Sequence, residues 1–472
     1  MSLKYDETVL LTESSGCLET EGVERTFKFT QSDIAQHIDQ QSQQKIFDLK
    51  LSQPHTARFD RNGQHLLLAG SSGHTSLMEW RKRRILTEFN TGDSCYDACF
   101  LHNHSLYAIA QSKGLFIYDH QGLEVHALKH HPQPRHLQYL PYHYLLVSGC
   151  QTGRLVYQDT STGDVVASHK TKAGPCSCLS QDPTSGLIFN GDSRGVVTLW
   201  SPSVSEPHVQ MFCHMGPVTS MVVDKSGHYL ISTGKDFQMA VHDLRTLSLL
   251  HSYKITSPCT SLDVSSSGML AVGLGTKVQV WSNAIESKAN SPYLNHKLNT
   301  LVKSVEFCPF EDVLGVGSNH GYSSILVPGA GEANIDHNAG NPFETKKQRR
   351  ENEVRRLLEK IPHEMIVYDK NVSIGKTFCS ESRRMKGIVS KQMAAGLRPE
   401  KTEKERAEAR EKRKTRGRNT ALKRFVRKRK NVYDAKRLAA REELDKRVDD
   451  KIENEDSGKA YLNRFRKYKK KS

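Results

Sequence analysis

The chain has 472 residues, with 68 Lys and Arg against 52 Asp and Glu, which gives a formal net charge of +16. No stretch approaches the roughly 18 apolar residues of a membrane span, and the first residues lack the apolar run of a secretory signal. The ten cysteines form no Cys-x-x-Cys pair, which excludes a zinc ribbon and gives no sign of a disulfide framework. We therefore expect a soluble intracellular protein with reduced cysteines.

The charge is unevenly distributed along the chain. Residues 1–341 carry 26 basic and 31 acidic side chains, whereas residues 342–472 carry 42 and 21. The first part is thus mildly acidic, near −5, and the second strongly basic, near +21. This asymmetry predicts a folded body with a cationic extension, and it favours an acidic partner such as nucleic acid.

Residues 1–45 are predicted to form an N-terminal extension with a short helix. Ser32 or Asp33 can cap that helix, and Ile34 and Ile38 lie one turn apart on it. Residues 46–51 then alternate between polar and apolar side chains, as a half-buried strand does.

Residues 46–335 repeat with a period near forty. Seven similar segments are spaced 39 to 43 residues apart, and they begin at Ala57, Ala98, Leu137, Leu179, Met221, Leu262 and Val305. Each is followed by a turn, an apolar strand such as "HLLLAG" or "YLLVSG", a second turn and a third strand such as "VVTLW". Short strands at this period are typical of four-stranded propeller blades. The pattern predicts an all-β, seven-bladed propeller, in which strand 46–51 joins the last blade and closes the ring.

Certain strand ends resemble those of WD repeats. The third strands end in Trp80, Trp200 and Trp281, or in the pairs His242-Asp243 and Tyr118-Asp119, although no unit has a Trp-Asp dipeptide. The resemblance implies that His214 and Asp236 form the structural His–Asp hydrogen bond of such blades.

A charged helix follows the repeats, within a predicted C-terminal region 341–398. In "NPFETKKQRRENEVRRLLEKIP", Asn341 is the predicted N-cap, Pro342 the first helical residue and Glu344 the capping-box partner, and Pro362 ends the helix. An apolar stripe at helical spacing is predicted to dock on a protein surface, either on a partner or on the chain's own propeller. The docking residues are Phe343, Val354, Leu357, Leu358 and Ile361.

The first half of this helix and the tail 399–472 carry cationic clusters. Such clusters add salt-dependent affinity for phosphates without reading sequence. Nuclear localisation signals and solvated surface remain alternatives. The predicted RNA-binding residues are Lys346, Lys347, Arg349, Arg350, Lys412, Arg413, Lys414, Arg416, Arg418, Lys423, Arg424, Arg427, Lys428, Arg429 and Lys430.

No enzymatic signature emerges from the sequence. Gly375-Lys376-Thr377 resembles the end of a phosphate-binding loop, but the position that needs the first glycine is Lys370. The 22 histidines show no ligand spacing with cysteines or carboxylates. We expect no catalytic residues, metal, cofactor or small-molecule substrate.

Two segments carry a more specific resemblance. "NPFETKKQRRENEVRRLLEKIP" and "KFTQSDIAQHIDQQSQQKIFDLKL" resemble the segments that bracket the propeller of a nucleolar WD-repeat family, the U3 snoRNA-associated proteins with a Bing-four-type C-terminal domain. "RFVRKRKNVYD", from Arg424, is similar to that family's tail, so the resemblance covers residues 27–435. The chain departs from the family in its N-terminus, because a longer basic extension is common there.

The resemblance implies a non-catalytic scaffold of the small-subunit processome, needed for pre-rRNA processing toward 18S rRNA and for small-subunit assembly. Its expected partners are other processome proteins and pre-rRNA or U3 snoRNA, and its expected location is the nucleolus within the nucleus. A nuclear WD-repeat adaptor for protein partners only, in chromatin or ubiquitin transfer, is the alternative function.

Overall fold

The computed structural model describes residues 16–20, 24–332 and 340–368. Within these ranges 28 strands form seven antiparallel sheets of four strands each. The predicted seven-bladed, all-β propeller is therefore confirmed. None of the helices in these ranges is long and apolar enough to cross a membrane.

Each blade takes four strands that follow one another in the chain, except the last. Blades 1 to 6 take the second to the twenty-fifth strand, four at a time in chain order, whereas blade 7 combines the first strand of the chain with the last three. The strands are β1 (Asp48–Lys50), β2 (His55–Phe59), β3 (His65–Gly70), β4 (His74–Glu79), β5 (Arg84–Asn90), β6 (Cys95–Phe100), β7 (Leu106–Gln111), β8 (Leu115–Asp119), β9 (Glu124–Leu128), β10 (Pro134–Leu140), β11 (Leu145–Cys150), β12 (Arg154–Asp159), β13 (Val165–Lys170), β14 (Cys176–Gln181), β15 (Ile188–Asp192), β16 (Val196–Trp200), β17 (Val209–Phe212), β18 (Val218–Val223), β19 (Tyr229–Gly234), β20 (Gln238–Asp243), β21 (Ser248–Lys254), β22 (Cys259–Val264), β23 (Leu270–Leu274), β24 (Lys277–Trp281), β25 (Leu294–Lys297), β26 (Val302–Phe307), β27 (Val313–Ser318) and β28 (Gly321–Leu326).

The second strand of each blade is the most buried. All six residues of β3 and of β11 are buried, because neighbouring blades cover both faces of the sheet there. This burial explains the continuous apolar runs in the sequence, since a strand covered on both faces need not alternate. The outermost strand of a blade is different: four of the five residues of β9 are exposed.

The N-terminal strand closes the ring, as the sequence predicted. β1 pairs antiparallel with β28, and Leu49 lies opposite Tyr322. The Ser324 hydroxyl accepts a hydrogen bond from the backbone N–H of Phe47 at 2.8 Å. The Gln31 side chain donates to the backbone carbonyl of Leu326 at 3.0 Å and accepts from its N–H at 2.9 Å. Both ends of the chain segment that forms the propeller are thereby held in one blade.

The predicted N-terminal helix is present but starts earlier and is broken. Helix α1 (Gln31–Gln36) is capped by Thr30, whose side chain forms a capping box with Asp33, so the prediction of Ser32 or Asp33 as N-cap is wrong. A second short helix, α2 (Gln40–Gln43), follows. Two overlapping polar residues hid the true cap, because Thr, Ser and Asp all favour that position.

Serine side chains on the innermost strands connect blades 5, 6, 7 and 1 in sequence. The Ser220 hydroxyl accepts from the N–H of Leu262 at 3.1 Å, and the Ser261 hydroxyl accepts from the N–H of Val305 at 3.1 Å. The Ser304 hydroxyl likewise accepts from the N–H of Ala57 at 3.0 Å, across the junction between the last blade and the first. The first strands lie next to each other around the axis, where no sheet hydrogen bonds link them, so these side chains supply the connection.

Replacing Ser261 by Ala should lower the free energy of unfolding by about 1–2 kcal/mol. The hydroxyl accepts from the N–H of Val305 at 3.1 Å and donates to the carbonyl of Val305 at 3.4 Å, and both hydrogen bonds between blades are lost. Urea denaturation followed by circular dichroism measures the change. Ser168→Ala, on an exposed position of β13, is the matched control and should change stability by less than about 0.5 kcal/mol. Equal stability of the two variants would show that the hydroxyl at position 261 contributes nothing.

Charged side chains make similar links in the centre of the ring. A nitrogen of the Arg58 guanidinium lies 3.2 Å from an Asp97 carboxylate oxygen, and the other terminal nitrogen lies 3.6 Å from a Glu306 oxygen. Asp97 also accepts from the N–H of Leu137 at 3.0 Å. Burial raises the pKa of Glu306 to about 8, against the opposing effect of Arg58. Arg58 of blade 1 therefore bridges acidic side chains that blades 2 and 7 hold near the axis.

The His–Asp link expected from WD repeats is present. His214 Nδ1 lies 3.2 Å from both carboxylate oxygens of Asp236, and its Nε2 lies 3.0 Å from the Ser232 hydroxyl. In blade 3, His131 makes an equivalent contact between Ser148 at 2.6 Å and Gln158 at 2.7 Å. Burial lowers the pKa of His131 to about 4, so its ring is neutral near pH 7. These histidines brace the loops between blades.

Candidate docking site on the lower face of the propeller

The two faces of the propeller carry different turns. The face that we call upper carries the turns between the second and third strands of each blade and the connections from one blade to the next. The lower face carries the turns between first and second strands and those between third and fourth strands.

Residues 340–368 cross the lower face from blade 1 to blade 4. The backbone N–H of Asn341 donates to the Asn62 side chain at 3.3 Å in blade 1. The N–H of Ile361 donates to the carbonyl of Tyr142 at 3.0 Å in blade 3. Ile366 is fully buried in the apolar cluster that includes Leu187 of blade 4. This stretch, which we call the C-terminal strap, is therefore an integral part of the propeller's lower surface.

The strap contains the predicted charged helix, but the helix starts four residues later than predicted. Helix α3 (Lys346–Leu358) is capped by Thr345, which forms a capping box with Gln348. Asn341 instead accepts from the N–H of Phe343 at 2.9 Å and forms a local turn, so its assignment as N-cap with Pro342 as first residue is wrong. The helix also ends before the predicted stop at Pro362, with Glu359 at its C-cap.

Glu344 was predicted to complete a capping box, and the structure gives it another role. Its side chain is only 5% exposed and accepts hydrogen bonds from Asn62 of blade 1 at 3.3 Å and from Asn352 of α3 at 2.5 Å. The Arg349 guanidinium lies 3.9 Å from the same carboxylate. Glu344 thus joins the start of the helix to the propeller.

The helix docks on the propeller through polar side chains. The Arg349 guanidinium lies 3.4 Å from His104 Nε2, and a Glu353 carboxylate oxygen lies 3.1 Å from His102 Nε2. The two histidines belong to the same turn of blade 2. Beyond the helix, Lys360 pairs with Asp159 of blade 3. A docked face built from charged groups is not detectable by apolar periodicity, so sequence reasoning missed these contacts.

The apolar stripe consequently faces away from the propeller. Leu358 is 82% exposed, Val354 59% and Leu357 44%, and Phe343 at the start of the strap is 72% exposed. This exposure does not fit the alternative that Val354, Leu357 and Leu358 pack on the chain's own propeller. Phe343 does contact it, since the Arg81 guanidinium of blade 1 lies over the Phe343 ring, 5.6 Å from its centre. Ile361 is half-buried, and its backbone is held by the lower face on both sides, since its carbonyl also lies 3.0 Å from His143 Nδ1.

Of the four predicted RNA-binding residues of the helix, three are exposed and one lies against the propeller. Lys346, Lys347 and Arg350 are exposed to solvent on the described surface. Lys347 makes only a 3.8 Å contact with Glu351, one turn further along the helix. Arg349 lies between Glu344 and His104, and its side chain is 25% exposed. The predicted tail clusters between Lys412 and Lys430, and the Gly375-Lys376-Thr377 segment, lie outside the described residues.

Beneath the helix, Asp60, His65 and His104 bring three ligand-type side chains together. The two imidazole rings stack in parallel, with centroids 3.9 Å apart and planes 3° from each other. Rings in parallel planes cannot both direct an in-plane lone pair at one ion, and the adjacent Arg349 guanidinium would repel a cation. Burial lowers the pKa of His104 to about 4. The cluster is therefore a packing contact between blades 1 and 2 beneath the strap.

A family comparison places the strap within a known domain. The BING4CT (NUC141) domain matches residues 292–369, which run from the end of blade 6 through blade 7 and the strap. The match ends one residue after the described part of the strap, so the family's domain includes both the last blade and the segment that crosses the lower face.

Individual relatives match most of the chain. U3 small nucleolar RNA-associated protein 7 of Saccharomyces cerevisiae is 40% identical over 460 residues, which cover 93% of this chain and 82% of that protein. WD repeat-containing protein 46 of Homo sapiens is 40% identical over 367 residues, covering 76% of this chain and 60% of that protein. The counterpart in Caenorhabditis elegans is 35% identical over 380 residues, covering 79% and 66%.

The chain thus spans most of the yeast protein but only about three fifths of the human one. With 40% identity over 93% of its length, this chain belongs to the WD-repeat family of U3 small nucleolar RNA-associated protein 7 and WD repeat-containing protein 46.

Proposed function

We propose that this chain is a non-catalytic scaffold component of the small-subunit processome, acting in pre-rRNA processing toward 18S rRNA and in assembly of the small ribosomal subunit. The observation that carries this proposal is the 40% identity to a yeast protein named for its association with U3 small nucleolar RNA, over nearly the whole chain. A nucleolar location follows from that role.

The structure supports a scaffold because the propeller faces and the strap offer surfaces on which other molecules can bind. A closed propeller offers two rigid faces, and the strap lies across one of them with its apolar stripe turned to solvent. Val354, Leu357 and Leu358 sit on successive turns of one helix, so a partner can bury all three together. Large exposed apolar side chains in a row commonly mark a protein-binding site. We assign this stripe, with Phe343, to a neighbouring processome protein.

The cations of the helix and tail are assigned to RNA. Lys346, Lys347 and Arg350 occupy the first turns of α3, next to the stripe but on exposed positions. Together with the tail clusters they would bind the phosphate backbone of pre-rRNA or U3 snoRNA without reading its sequence. Arg349 is left out of this set because it is engaged by the propeller.

Replacing Leu357 and Leu358 by Asp should detach the protein from pre-ribosomal particles. Two charges in the centre of an apolar contact would weaken binding at least tenfold, since each buried leucine contributes about 1.5–3 kcal/mol. The measurement is co-sedimentation of the tagged full chain with pre-ribosomal particles, together with the level of 18S rRNA, in cells that lack the native copy.

A matched control is available on the outer strand of blade 5. Leu249 and Leu250 are also exposed, at 55% and 41%, and the variant Leu249→Asp/Leu250→Asp should sediment like the unmodified protein. If both double variants co-sediment normally, the stripe has no docking role.

RNA contact is tested separately by in-cell crosslinking and RNA sequencing. The full chain is compared with a version that ends after Tyr368, so that the strap is kept. We expect crosslinks on U3 snoRNA or pre-rRNA that decrease strongly in the shorter chain. Background crosslinking in both would favour the alternative function, an adaptor that binds proteins only.

A further inference from the structure

The upper face of blades 3 to 5 carries a group of exposed cations with no acidic partner. None of these five side chains forms a salt bridge within the described part of the chain, although the propeller as a whole is mildly acidic. They are Arg154, Lys170, Lys172, Arg194 and Lys235.

The loops that carry these cations are continuous with one another. In blade 3, the N–H of Thr171 donates to the carbonyl of Gly153 at 2.9 Å, which brings Lys172 next to Arg154. In blade 4, a side chain on Gly195 would collide with the carbonyl of His214, so the loop after Arg194 lies directly against the connection to blade 5. That connection in turn reaches Lys235, whose N–H donates to the carbonyl of Pro217 at 3.0 Å.

The carboxylates in these loops face inward. Asp192 is 2% exposed and accepts from the N–H of Ser193 at 2.6 Å. Asp236 accepts from the buried His214 ring. Both carboxylates thus accept hydrogen bonds from the protein's own groups. Among the charged side chains of these loops, it is the cations that face solvent.

Three large apolar side chains lie exposed among the cations. Phe212 is 66% exposed at the end of β17, Met215 is 89% exposed in the following loop, and Phe237 is 47% exposed in the turn beside Lys235. Phe237 has a positive φ of 59°, which is rare for an aromatic residue. At the other end of this surface a cleft of about 630 Å³ is lined by Arg154, Lys170 and Lys172.

We propose that this surface, the upper-face arc, binds single-stranded RNA. The five cations would contact the phosphates, and Phe212 and Phe237 would stack on bases, because exposed aromatic rings between cations are characteristic of single-strand binding. An acidic protein segment would use the cations equally well, but bases stack on the exposed rings while their phosphates reach the neighbouring cations, so a single strand uses both kinds of group at once. The choice of RNA among polyanions rests on the proposed function, whereas the arc itself is defined by the structure alone. The arc lies on the face opposite the strap, and it adds a second RNA contact to that of the tail.

The first test is lysine footprinting of the full chain. Amine acetylation is measured by mass spectrometry, with and without a twelve-nucleotide oligouridine at low salt. We expect at least a threefold decrease in acetylation of Lys170, Lys172 and Lys235, and no change at Lys288, which is exposed on the lower side of blade 6. Because the readout is local, RNA bound by the tail does not affect it. Unchanged acetylation of all three arc lysines would overturn the proposal.

A charge-reversal variant and ultraviolet crosslinking give the second test. In the unmodified protein, crosslinked peptides should contain Phe212 or Phe237. The double variant Arg154→Glu/Arg194→Glu should reduce the yield of these crosslinked peptides about tenfold. The control Arg84→Glu/Lys288→Glu makes the same change in charge at exposed lower-face sites and should leave that yield unaltered. Equal yields from the two variants would exclude the arc.

A polyglutamate peptide of the same net charge distinguishes RNA from protein. We expect it to protect the arc lysines at least tenfold less effectively than oligouridine. Equal protection would assign the arc to an acidic protein segment and overturn the RNA proposal. Failure here leaves the scaffold function standing, since that function is tested by sedimentation with pre-ribosomal particles.

Discussion

A chain that lacks residues 1–53 should unfold at a temperature about 10 °C lower than the full chain. The deletion removes β1 and the N-terminal helices, so blade 7 keeps three strands and β28 becomes an open edge. Ile34, Phe47 and Leu49 also leave the apolar cluster that they share with blade 7. At about 1.5–3 kcal/mol per buried side chain, with a discount because two of the three are half-buried, the loss is about 5 kcal/mol. Differential scanning calorimetry measures the shift.

The deletion also exposes strand edges, so the chain is expected to aggregate more readily. A synthetic peptide of residues 24–53, added to the shortened chain, should restore most of the stability, because it can pair with β28 in the same register. The control is the full chain with Gln40→Ala, a change at an exposed position of α2 that leaves β1 intact, and its unfolding temperature should not change. A shortened chain with the original unfolding temperature would contradict ring closure by this strand.

Arg58→Met is expected to destabilise the propeller by about 2–3 kcal/mol. The substitution leaves Asp97 near the axis without its counter-charge, which for a fully buried pair costs roughly 3–5 kcal/mol. The Arg58 side chain is 34% exposed, so solvent reduces the effect. Urea denaturation at pH 7 gives the difference from the unmodified protein.

The pH dependence of this variant identifies the group responsible. The pKa of Glu306 is about 8 in the folded protein, above the value of about 4.5 for a free glutamate, so folding favours its protonated form. Stability therefore falls as pH rises between these two values. Without Arg58 the pKa rises further, and the variant keeps losing stability above pH 8, where the unmodified protein no longer does.

The difference in unfolding free energy between the unmodified protein and the Arg58→Met variant should accordingly be larger at pH 9 than at pH 6. The double variant Arg58→Met/Glu306→Gln should remove this pH dependence and recover part of the stability. If the gap is constant between pH 6 and pH 9, the cost of Arg58→Met comes from packing instead of charge.

The architecture was predictable from the sequence because propeller strands have an unusual pattern of burial. The second strand of each blade is covered on both faces, so runs such as "HLLLAG" stand out at a regular spacing. The closing strand could be inferred because seven blades leave one edge unpaired. Both inferences use burial alone, which is what apolar patterns record.

The strap was only half predictable. The sequence predicted its helix, but it contains two overlapping capping signals, "NPFET" and "TKKQ". The helix uses the second, with Thr345 as N-cap, while the Glu344 side chain accepts a hydrogen bond from Asn62 instead of capping the helix. The docked side of the helix could not be inferred, since its contacts are polar and reach His102 and His104, about 250 residues away in sequence. The upper-face arc was missed for a related reason: its five cations are scattered over 82 residues and only the folding of three blades brings them together.

Closure by the N-terminal strand also has a consequence for how the chain is made. The strand that ends at Lys50 pairs with a strand that starts at Gly321, so its partner is synthesised about 270 residues later. At roughly 5–20 residues per second, a nascent chain waits some 15 to 55 seconds before the two can meet. During translation β1 therefore stays unpaired while blades 1 to 6 are made, and over that interval its free edge can pair with other chains.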